Sequence, residues 1–506
     1  MAIYRLMTKA RRVWVARWLG APQWVPASRW AWAPRRVWMP RWVWVSRWVW
    51  LLVAMPQVLL AASVADSVGP APVAADADVA GSVTHPVALS ASTSDNGPAT
   101  GLADSAALRA TVFGTPPQNI APMPERVPLR EIDISMPWAR PVPKVLWFDS
   151  RLRVWFSAQD KPAPLAIVIS GTGSDGNTTK LSTLRGVLYG AGYHVLTLPS
   201  PTFPGFIVSA SSTGVAGDLM QDGHDLYAAM QRIIAHLPRH APITEIDVLG
   251  YSLGGANAAI VKSIDATEGK LKIHRAVMID PPVSLFDSID RLDRLFVLSI
   301  GPADQGLENL YRRIYARLAN FYRASDKVEI DDTDLLGAAA SVLKTDADFS
   351  AAIALTFRLE LVDVFFVGDL YARTGVVIDP RHPPGVEDSL ENIGRTLRGK
   401  TFAEYFNKVF APYYTAHRPG STPESLQADN RLDIISTALR DNGDYYAQTN
   451  QDDLILDKSE LDWLCTTMGS RIAVYDHGGH LGNLGDRQQV ADMLDMLAGR
   501  WQGASR

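Results

Sequence analysis

The chain has 506 residues, of which 47% are apolar and 20% charged, with a single cysteine and a formal net charge of −4. This length supports one large domain or two ordinary ones. The composition excludes collagen-like, coiled-coil and multi-span membrane proteins. The single cysteine, Cys465, excludes an intramolecular disulfide and a zinc site built from several cysteines.

The charge is distributed unevenly along the chain. Residues 1–65 carry nine arginines and Lys9 but no acidic residue, which leaves 39 basic against 53 acidic side chains, a net charge of −14, in the remainder. An acidic body binds nucleic acid poorly, because phosphate contacts need clustered Lys and Arg. We therefore expect no nucleic-acid partner.

Residues 1–65 are interpreted as a leader, in which ten of the fifteen tryptophans alternate with arginine. Met39 is an alternative start, so it stays open whether residues 1–38 are translated. Downstream of Met39, basic residues precede an apolar run at 48–60 and the small residues Ser63 and Ala65, the order of a signal peptide. This pattern predicts export, to the periplasm or outside the cell. The alternative is an N-terminal membrane anchor, with transient membrane association through the leader.

The remainder divides by its patterns. Residues 66–125, rich in Ala, Ser, Pro, Asp and Gly, predict a flexible linker. Residues 126–284 alternate short apolar runs with helical stretches, which predicts a parallel α/β sheet. Residues 285–440 carry only helical patterns and predict an inserted α-helical cap. The α/β pattern resumes over 441–506.

The fold class is therefore α/β, a mostly parallel sheet with an inserted helical cap. Strands are expected at 127–135, 144–157, 165–170, 193–198, 246–249, 276–279, 453–456 and 471–475. Cap helices are expected at 307–324, 333–343, 349–372 and 389–410.

The strongest motif is Gly-x-Ser-x-Gly at residues 250–254, placed between an apolar strand and a helical stretch. Such a turn lifts the Ser252 hydroxyl clear of the sheet, and glycine at Gly250 and Gly254 avoids collisions with neighbouring elements. The N–H of Leu253, at a helix N-terminus, is expected to face a developing oxyanion. The motif predicts that Ser252 is a nucleophile.

A nucleophilic serine needs a base. In this architecture the base is expected to follow the serine in the sequence. His480 lies just after the last predicted strand and is preceded by two glycines, so its loop can reach across the sheet edge. His477 lies three residues nearer the strand and is the weaker candidate.

The acid that orients the histidine is expected between the serine and the histidine. Asp453 and Asp452 are both candidates, and Asp453 is favoured because it directly precedes the apolar segment 454–456. Asp280, at the end of the strand 276–279, is a further alternative.

The glycine-rich loop 170–174 should supply a second oxyanion donor, either the N–H of Thr172 or that of Gly173. The loop lacks the lysine and the third spaced glycine of nucleotide-binding loops. Phe203 and Phe206, in the loop after the predicted strand 193–198, are weaker candidates for substrate contact.

Together these residues resemble the α/β-hydrolase superfamily. The segment from Gly250 to Gly255 resembles its nucleophile elbow, and Ser252, Asp453 and His480 follow its chain order. Residues 170–173 resemble its oxyanion loop, with serine where many members have histidine. The resemblance covers residues 140–285 and 440–500. It implies an eight-stranded mostly parallel sheet, an acyl-enzyme and no metal or organic cofactor.

The expected function is that of an exported, lipase-like serine esterase acting on a small-molecule ester or a lipid. The apolar cap stretches 357–371 and 405–414 favour a fatty-acyl substrate, and packing within the cap explains them equally well. A peptidase or an acyltransferase with the same three residues stays open. So does a catalytically silent relative that binds a lipid or a partner protein in the cell envelope.

Overall fold

A computed structural model describes residues 104–138, 140–238, 241–300 and 343–503. Several predictions fall outside the described residues: the leader, the first part of the linker, the helix at 307–324, and the helix at 333–343 apart from Leu343.

The described residues form one sheet of eight strands in the order β1-β2-β4-β3-β5-β6-β7-β8. β2 pairs antiparallel with β1 and β4, and all the other neighbouring pairs are parallel. The eight-stranded, mostly parallel sheet expected from the resemblance is confirmed. Its strands are β1 Arg130–Ile134, β2 Leu152–Ser157, β3 Ala163–Ile169, β4 His194–Leu198, β5 Ile243–Tyr251, β6 Ile273–Ile279, β7 Tyr445–Asn450 and β8 Ile472–Tyr475.

Helices cover both faces of this sheet. The described helices are α1 Ser105–Phe113, α2 Thr179–Gly190, α3 Pro204–Ser209, α4 Leu219–Ile234, α5 Leu253–Glu268, α6 Leu285–Ile300, α7 Asp346–Ala372, α8 Glu391–Arg398, α9 Phe402–Tyr405, α10 Ala411–His417, α11 Pro423–Ala428, α12 Ser436–Asp441, α13 Lys458–Met468 and α14 Arg487–Leu497. Within the described ranges, no helix has both the length and the apolarity needed to cross a bilayer.

The centre of the sheet is β3, between β4 and β5. Its residues Leu165, Ala166 and Ile167 are completely buried, because α4 and α5 pack on one face of the sheet and α2 and α14 on the other. A strand buried on both faces has no polar side, which is why this segment is wholly apolar. Parallel strands end at the same edge, so the loops after β3, β5, β7 and β8 meet there.

The predicted linker is wrong from residue 104 onward, where the chain forms α1. The Asp104 side chain accepts a hydrogen bond from the N–H of Ala106 and so caps the helix. Leu108 is completely buried and packs with Phe349 of α7. Burial of this face stabilises a helix that is too short to be stable alone.

Two predicted strands are also corrected. Residues 453–456 form no strand; the strand here is β7, Tyr445–Asn450, which ends three residues before Asp453. β7 is buried throughout but carries polar side chains at Gln448, Thr449 and Asn450, so it lacks the apolar signature of a buried strand. The first part of the predicted strand 144–157 is a 3₁₀ helix at Lys144–Asp149.

The cap packs on the body through its own aromatic cluster. Phe365, Phe366 and Phe410 are completely buried in it. Two cap tyrosines bond to the loop that precedes α4: Tyr405 donates to the carbonyl oxygen of Ala216 at 2.7 Å and Tyr414 to that of Val215 at 2.8 Å. The apolar stretches of the cap are therefore used for packing between the cap and the body.

Candidate active site

Ser252 occupies the turn between β5, which ends at Tyr251, and α5, which begins at Leu253. Its backbone has φ 55° and ψ −131°, in the left-handed region that costs a non-glycine residue about 1–3 kcal/mol. The N–H of Ser252 donates to the carbonyl oxygen of Ile279 on β6 at 2.8 Å. This hydrogen bond to the neighbouring strand therefore helps to hold the strained turn in place.

The two glycines of the motif allow this turn because backbone passes against backbone. A Cβ at Gly250 would collide with the carbonyl oxygen of Gly254. A Cβ at Gly254 would lie 2.6 Å from the carbonyl oxygen of Ser170, at the end of β3. Any side chain at either position would therefore push the serine away from the oxyanion loop.

The structure brings Ser252, His480 and Asp453 together although they come from three separate segments. Ser252 Oγ lies 3.0 Å from His480 Nε2. His480 Nδ1 lies 3.0 and 3.1 Å from the two carboxylate oxygens of Asp453. A neutral imidazole with its proton on Nδ1 donates to Asp453 and accepts from the serine hydroxyl. This is the arrangement that makes a serine oxygen nucleophilic.

The two alternative acids bind backbone rather than the imidazole. Asp452 Oδ1 accepts a hydrogen bond of 2.8 Å from the N–H of Gly479. Asp280 Oδ2 accepts one of 3.0 Å from the N–H of Leu481. Asp280, Asp453 and His480 each have a ligand atom within 4.8 Å of the others, so a second buried carboxyl group lies beside the pair. Of the three aspartates, Asp453 is the one that holds the ring.

We call residues 478–482 the histidine loop. This loop is held by Thr111, which lies within the segment predicted to be a linker. The N–H of His480 donates to Thr111 Oγ1 of α1 at 2.8 Å. The loop also contains a left-handed residue on each side of the histidine, Gly479 with φ 54° and Leu481 with φ 66°. No motif marks Thr111, and only its position in the fold shows its contact with the histidine.

Of the two loop candidates for an oxyanion donor, Gly173 is wrong. Its N–H donates to Thr202 Oγ1 at 2.8 Å and is therefore engaged elsewhere. Thr172 remains the loop candidate. A Cβ at Gly171 would lie 3.3 Å from the Cβ of Ser252, so the loop passes directly against the serine. The N–H of Leu253 is the first of α5, where helix N–H groups have no acceptor within the helix.

The cap lies over this loop. A Cβ at Gly173 would meet the side chain of Glu360 on α7, 2.7 Å from its Cγ. Ser252 is only 7% exposed and His480 5%. The serine and the histidine are therefore largely covered in the described structure, with α7 of the cap lying against the neighbouring oxyanion loop.

The two phenylalanines proposed for substrate contact have different positions. Phe206 is wrong as a contact residue, because its side chain is 1% exposed and packs in the hydrophobic core beside the sheet. Phe203 is half-buried, directly before α3, and its role stays a prediction.

Two groups of side chains in the described part of the chain have the composition of a metal site. In the first, both ring nitrogens of His480 are already hydrogen-bonded, to Ser252 and Asp453. In the second, Glu245, Asp247 and His274, the Arg275 guanidinium lies 3.1 Å from His274 Nδ1. A positive charge at that distance opposes a bound cation.

A separate cleft of about 490 Å³ opens within the cap, between α6 and the segments that contain α9 and α11. Its lining does not include Ser252, His480 or Asp453. Acidic and aromatic side chains line it, among them Asp287, Asp290, Phe402 and Phe406.

No protein-family model matches the chain. No curated protein matches it in sequence. Solved structures resemble it in fold. An esterase of Pyrococcus furiosus shares 12% identity over 74% of this chain and 94% of its own, with a TM-score of 0.33. A hydrolase of Legionella pneumophila, itself described as putative, shares 12% over 79% and 96%, with a TM-score of 0.40. A thioesterase domain from the curacin biosynthetic pathway shares 12% over 73% and 99%, with a TM-score of 0.32.

With identities of 12% and TM-scores below 0.5, these similarities support no argument about this chain. The strand order, the tight turn after β5 and the sequence order of Ser252, Asp453 and His480 define an α/β-hydrolase fold.

Replacement of the acid tests which aspartate serves the histidine. We expect Asp453→Asn to lower kcat for an activated ester by about 10⁴-fold, since an amide at this position favours the wrong tautomer of the histidine. Asp452→Asn keeps an oxygen acceptor for Gly479 and is expected to stay within about tenfold of wild type, about 1.4 kcal/mol. Equal losses in the two folded variants would contradict the assignment of Asp453.

Asp280 should make stability depend on pH. Burial, and then the neighbouring Asp453, raise the pKa of this carboxyl group well above its usual range. Between the unfolded and the folded pKa, the unfolded chain releases a proton that the folded protein retains, so stability falls as pH rises through this window.

Asp280→Asn removes this loss and keeps an acceptor for Leu481. The Tm of the variant minus that of wild type should therefore increase from pH 4 to pH 8, as measured by thermal unfolding. A difference that is independent of pH would show that Asp280 titrates normally.

Proposed function

We propose that the protein is a serine hydrolase that cleaves a carboxylic ester through an acyl-enzyme on Ser252. The observation that carries this proposal is the unbroken chain of contacts from the Ser252 hydroxyl through the His480 ring to Asp453, buried beside the oxyanion loop.

In the first half of the reaction, His480 Nε2 takes the proton of Ser252 as Oγ attacks the ester carbonyl. The carbonyl oxygen becomes an oxyanion, which the N–H groups of Leu253 and Thr172 stabilise. Loss of one such donor typically lowers turnover by about 100- to 1000-fold. The intermediate collapses, the C–O bond to the alcohol breaks, and His480 passes its proton to the leaving oxygen.

In the second half, a water molecule replaces the alcohol. His480 takes a proton from the water as its oxygen attacks the acyl-enzyme, and then returns a proton to Ser252 Oγ when the acid leaves. Asp453 keeps the imidazole oriented and stabilises its positive charge in both halves. Ser252, His480 and Asp453 all recover their starting states.

We propose an ester without assigning the length of its acyl chain. The apolar stretches that favoured a fatty-acyl substrate supply buried residues of the cap, such as Phe365 and Phe410, rather than the surroundings of Ser252. The side chain of Glu360, which is buried, lies against the oxyanion loop. The surroundings of this loop therefore include a carboxyl group as well as apolar side chains.

Export is the remaining part of the proposal, and it depends on the sequence of residues 39–65. If the signal-like segment is cleaved, the mature protein recovered from its native host should begin near Asp66, as measured by N-terminal sequencing. Recovery of a mature protein that retains residues 48–60 would instead favour the membrane anchor.

Active-site labelling tests the nucleophile directly. Full-length protein treated with a fluorophosphonate should lose hydrolytic activity and carry one adduct on Ser252, because an activated serine displaces the fluoride. Mass spectrometry of the labelled peptide locates the adduct. Ser252→Ala should take up no label, whereas Ser459→Ala, which removes an exposed serine, should label as wild type does.

Two outcomes would contradict the proposal. An adduct at another serine would overturn the site. A folded protein that takes up no label and cleaves no ester would favour the catalytically silent relative.

A further inference from the structure

Helix α1 contacts the histidine loop through its backbone. A Cβ at Gly479 would collide with the carbonyl oxygen of Ala107 and lie 2.5 Å from Thr111 Oγ1. A Cβ at Gly482 would lie 2.5 Å from the carbonyl oxygen of Ala110. The glycines of the loop thus allow the loop to lie directly on one face of α1.

Thr111 makes two hydrogen bonds on this face. Its hydroxyl donates to the carbonyl oxygen of Ala107, one turn earlier in α1, at 2.7 Å. The proton of the hydroxyl is therefore engaged, and a lone pair is left to accept the N–H of His480 at 2.8 Å. The hydroxyl thus has a fixed direction, set by the helix to which it belongs.

The position of the His480 backbone decides where its ring lies. Nε2 must reach Ser252 while Nδ1 reaches Asp453, and both distances are about 3 Å. The neighbouring N–H groups, of Gly479 and Leu481, are held by Asp452 and Asp280. Thr111 holds the amide of the histidine itself, between those two.

The opposite side of α1 is attached to the cap. The rings of Phe113 and Phe349 lie 5.6 Å apart, and the Arg109 guanidinium lies 5.3 Å from the Phe349 ring. Ser105 Oγ donates to Asp346 of α7 at 2.7 Å. These contacts keep α1 between the histidine loop and the first turn of α7.

We propose that α1 is a positioning element of the active site, in which Thr111 acts as a positioning residue through the backbone of His480. This inference rests on the proposed function and deepens it. Without the hydroxyl, the N–H of His480 has no acceptor on α1 and the histidine loop relaxes. The ring then spends less time in contact with both Ser252 and Asp453, so the chemical step slows while substrate binding is unchanged.

Three variants of the full-length protein test the role of Thr111. Thr111→Val removes the hydroxyl and keeps the shape, and we expect kcat to fall by about 10- to 100-fold, the range that a misplaced catalytic group produces. KM should change by less than about threefold, because the proposed effect of Thr111 is on the placement of the His480 ring and not on substrate binding. Thr111→Ser keeps the hydroxyl and should restore kcat to within about threefold of wild type.

Thr396→Val is the matched control, because it makes the same substitution at an exposed threonine of α8 whose hydroxyl also donates to the carbonyl oxygen one turn earlier, that of Asn392, at 3.0 Å. Thr396 belongs neither to α1 nor to the histidine loop, so the kcat of this variant should equal that of wild type. Fluorophosphonate labelling separates positioning from partial unfolding. In Thr111→Val the rate of labelling should fall in step with kcat, while the fraction finally labelled stays complete. If Thr111→Val does not fold, Thr111→Ala provides the same comparison.

The outcomes distinguish this inference from the proposed function. If wild-type protein labels and hydrolyses ester but Thr111→Val has the same kcat, the inference alone is overturned. It is also overturned if Thr111→Ser is as impaired as Thr111→Val, or if Thr111→Val loses labelled fraction rather than rate. If wild-type protein neither labels nor hydrolyses ester, the proposed function fails and this inference fails with it.

Discussion

Three consecutive N–H groups, those of Gly479, His480 and Leu481, must each find an acceptor next to a buried imidazole. A buried donor without an acceptor costs about 1–3 kcal/mol, and the path of the histidine loop satisfies all three. The acceptors come from the turn after β7, from α1 and from the end of β6. The reach of His480 to Ser252 therefore depends on elements from both ends of the chain meeting at one edge of the sheet.

The parts of the site that can be predicted from the sequence are those whose structure is set by residues close to them in the chain. The turn at Ser252 needs glycine two residues before and after it, because the backbone of Gly250 contacts that of Gly254, and such a constraint appears as a short motif. The choice of His480 and Asp453 used chain order and closeness to a strand. The sequence favours Asp453 because it precedes residues 454–456, which form no strand; in the structure Asp453 lies just after β7.

The parts that were missed depend on distant contacts. Helix α1 has nine residues, too few to be stable alone. It is stabilised by packing against α7, and its own sequence shows no clear pattern of apolar residues at helical spacing. β7 buries amides and hydroxyls where an apolar run was expected. The N–H of Gly173 is occupied by a hydroxyl from the loop after β4, and nothing in residues 170–174 indicates that neighbour. The sequence likewise places Phe206 in a loop, and nothing near it indicates that its side chain is buried in the core.

The separation of the site along the chain has a consequence for its assembly. Thr111 and His480 are 369 positions apart, and Ser252 and His480 are 228 apart. A chain made from its N-terminus exposes α1 and the serine turn long before the histidine has been synthesised. Contacts of such long range also slow folding, because their loop-closure entropy is lost before they contribute stability. Ser252 therefore has no base in the nascent chain until residue 480 has been synthesised, and it becomes a nucleophile only when the histidine loop reaches it.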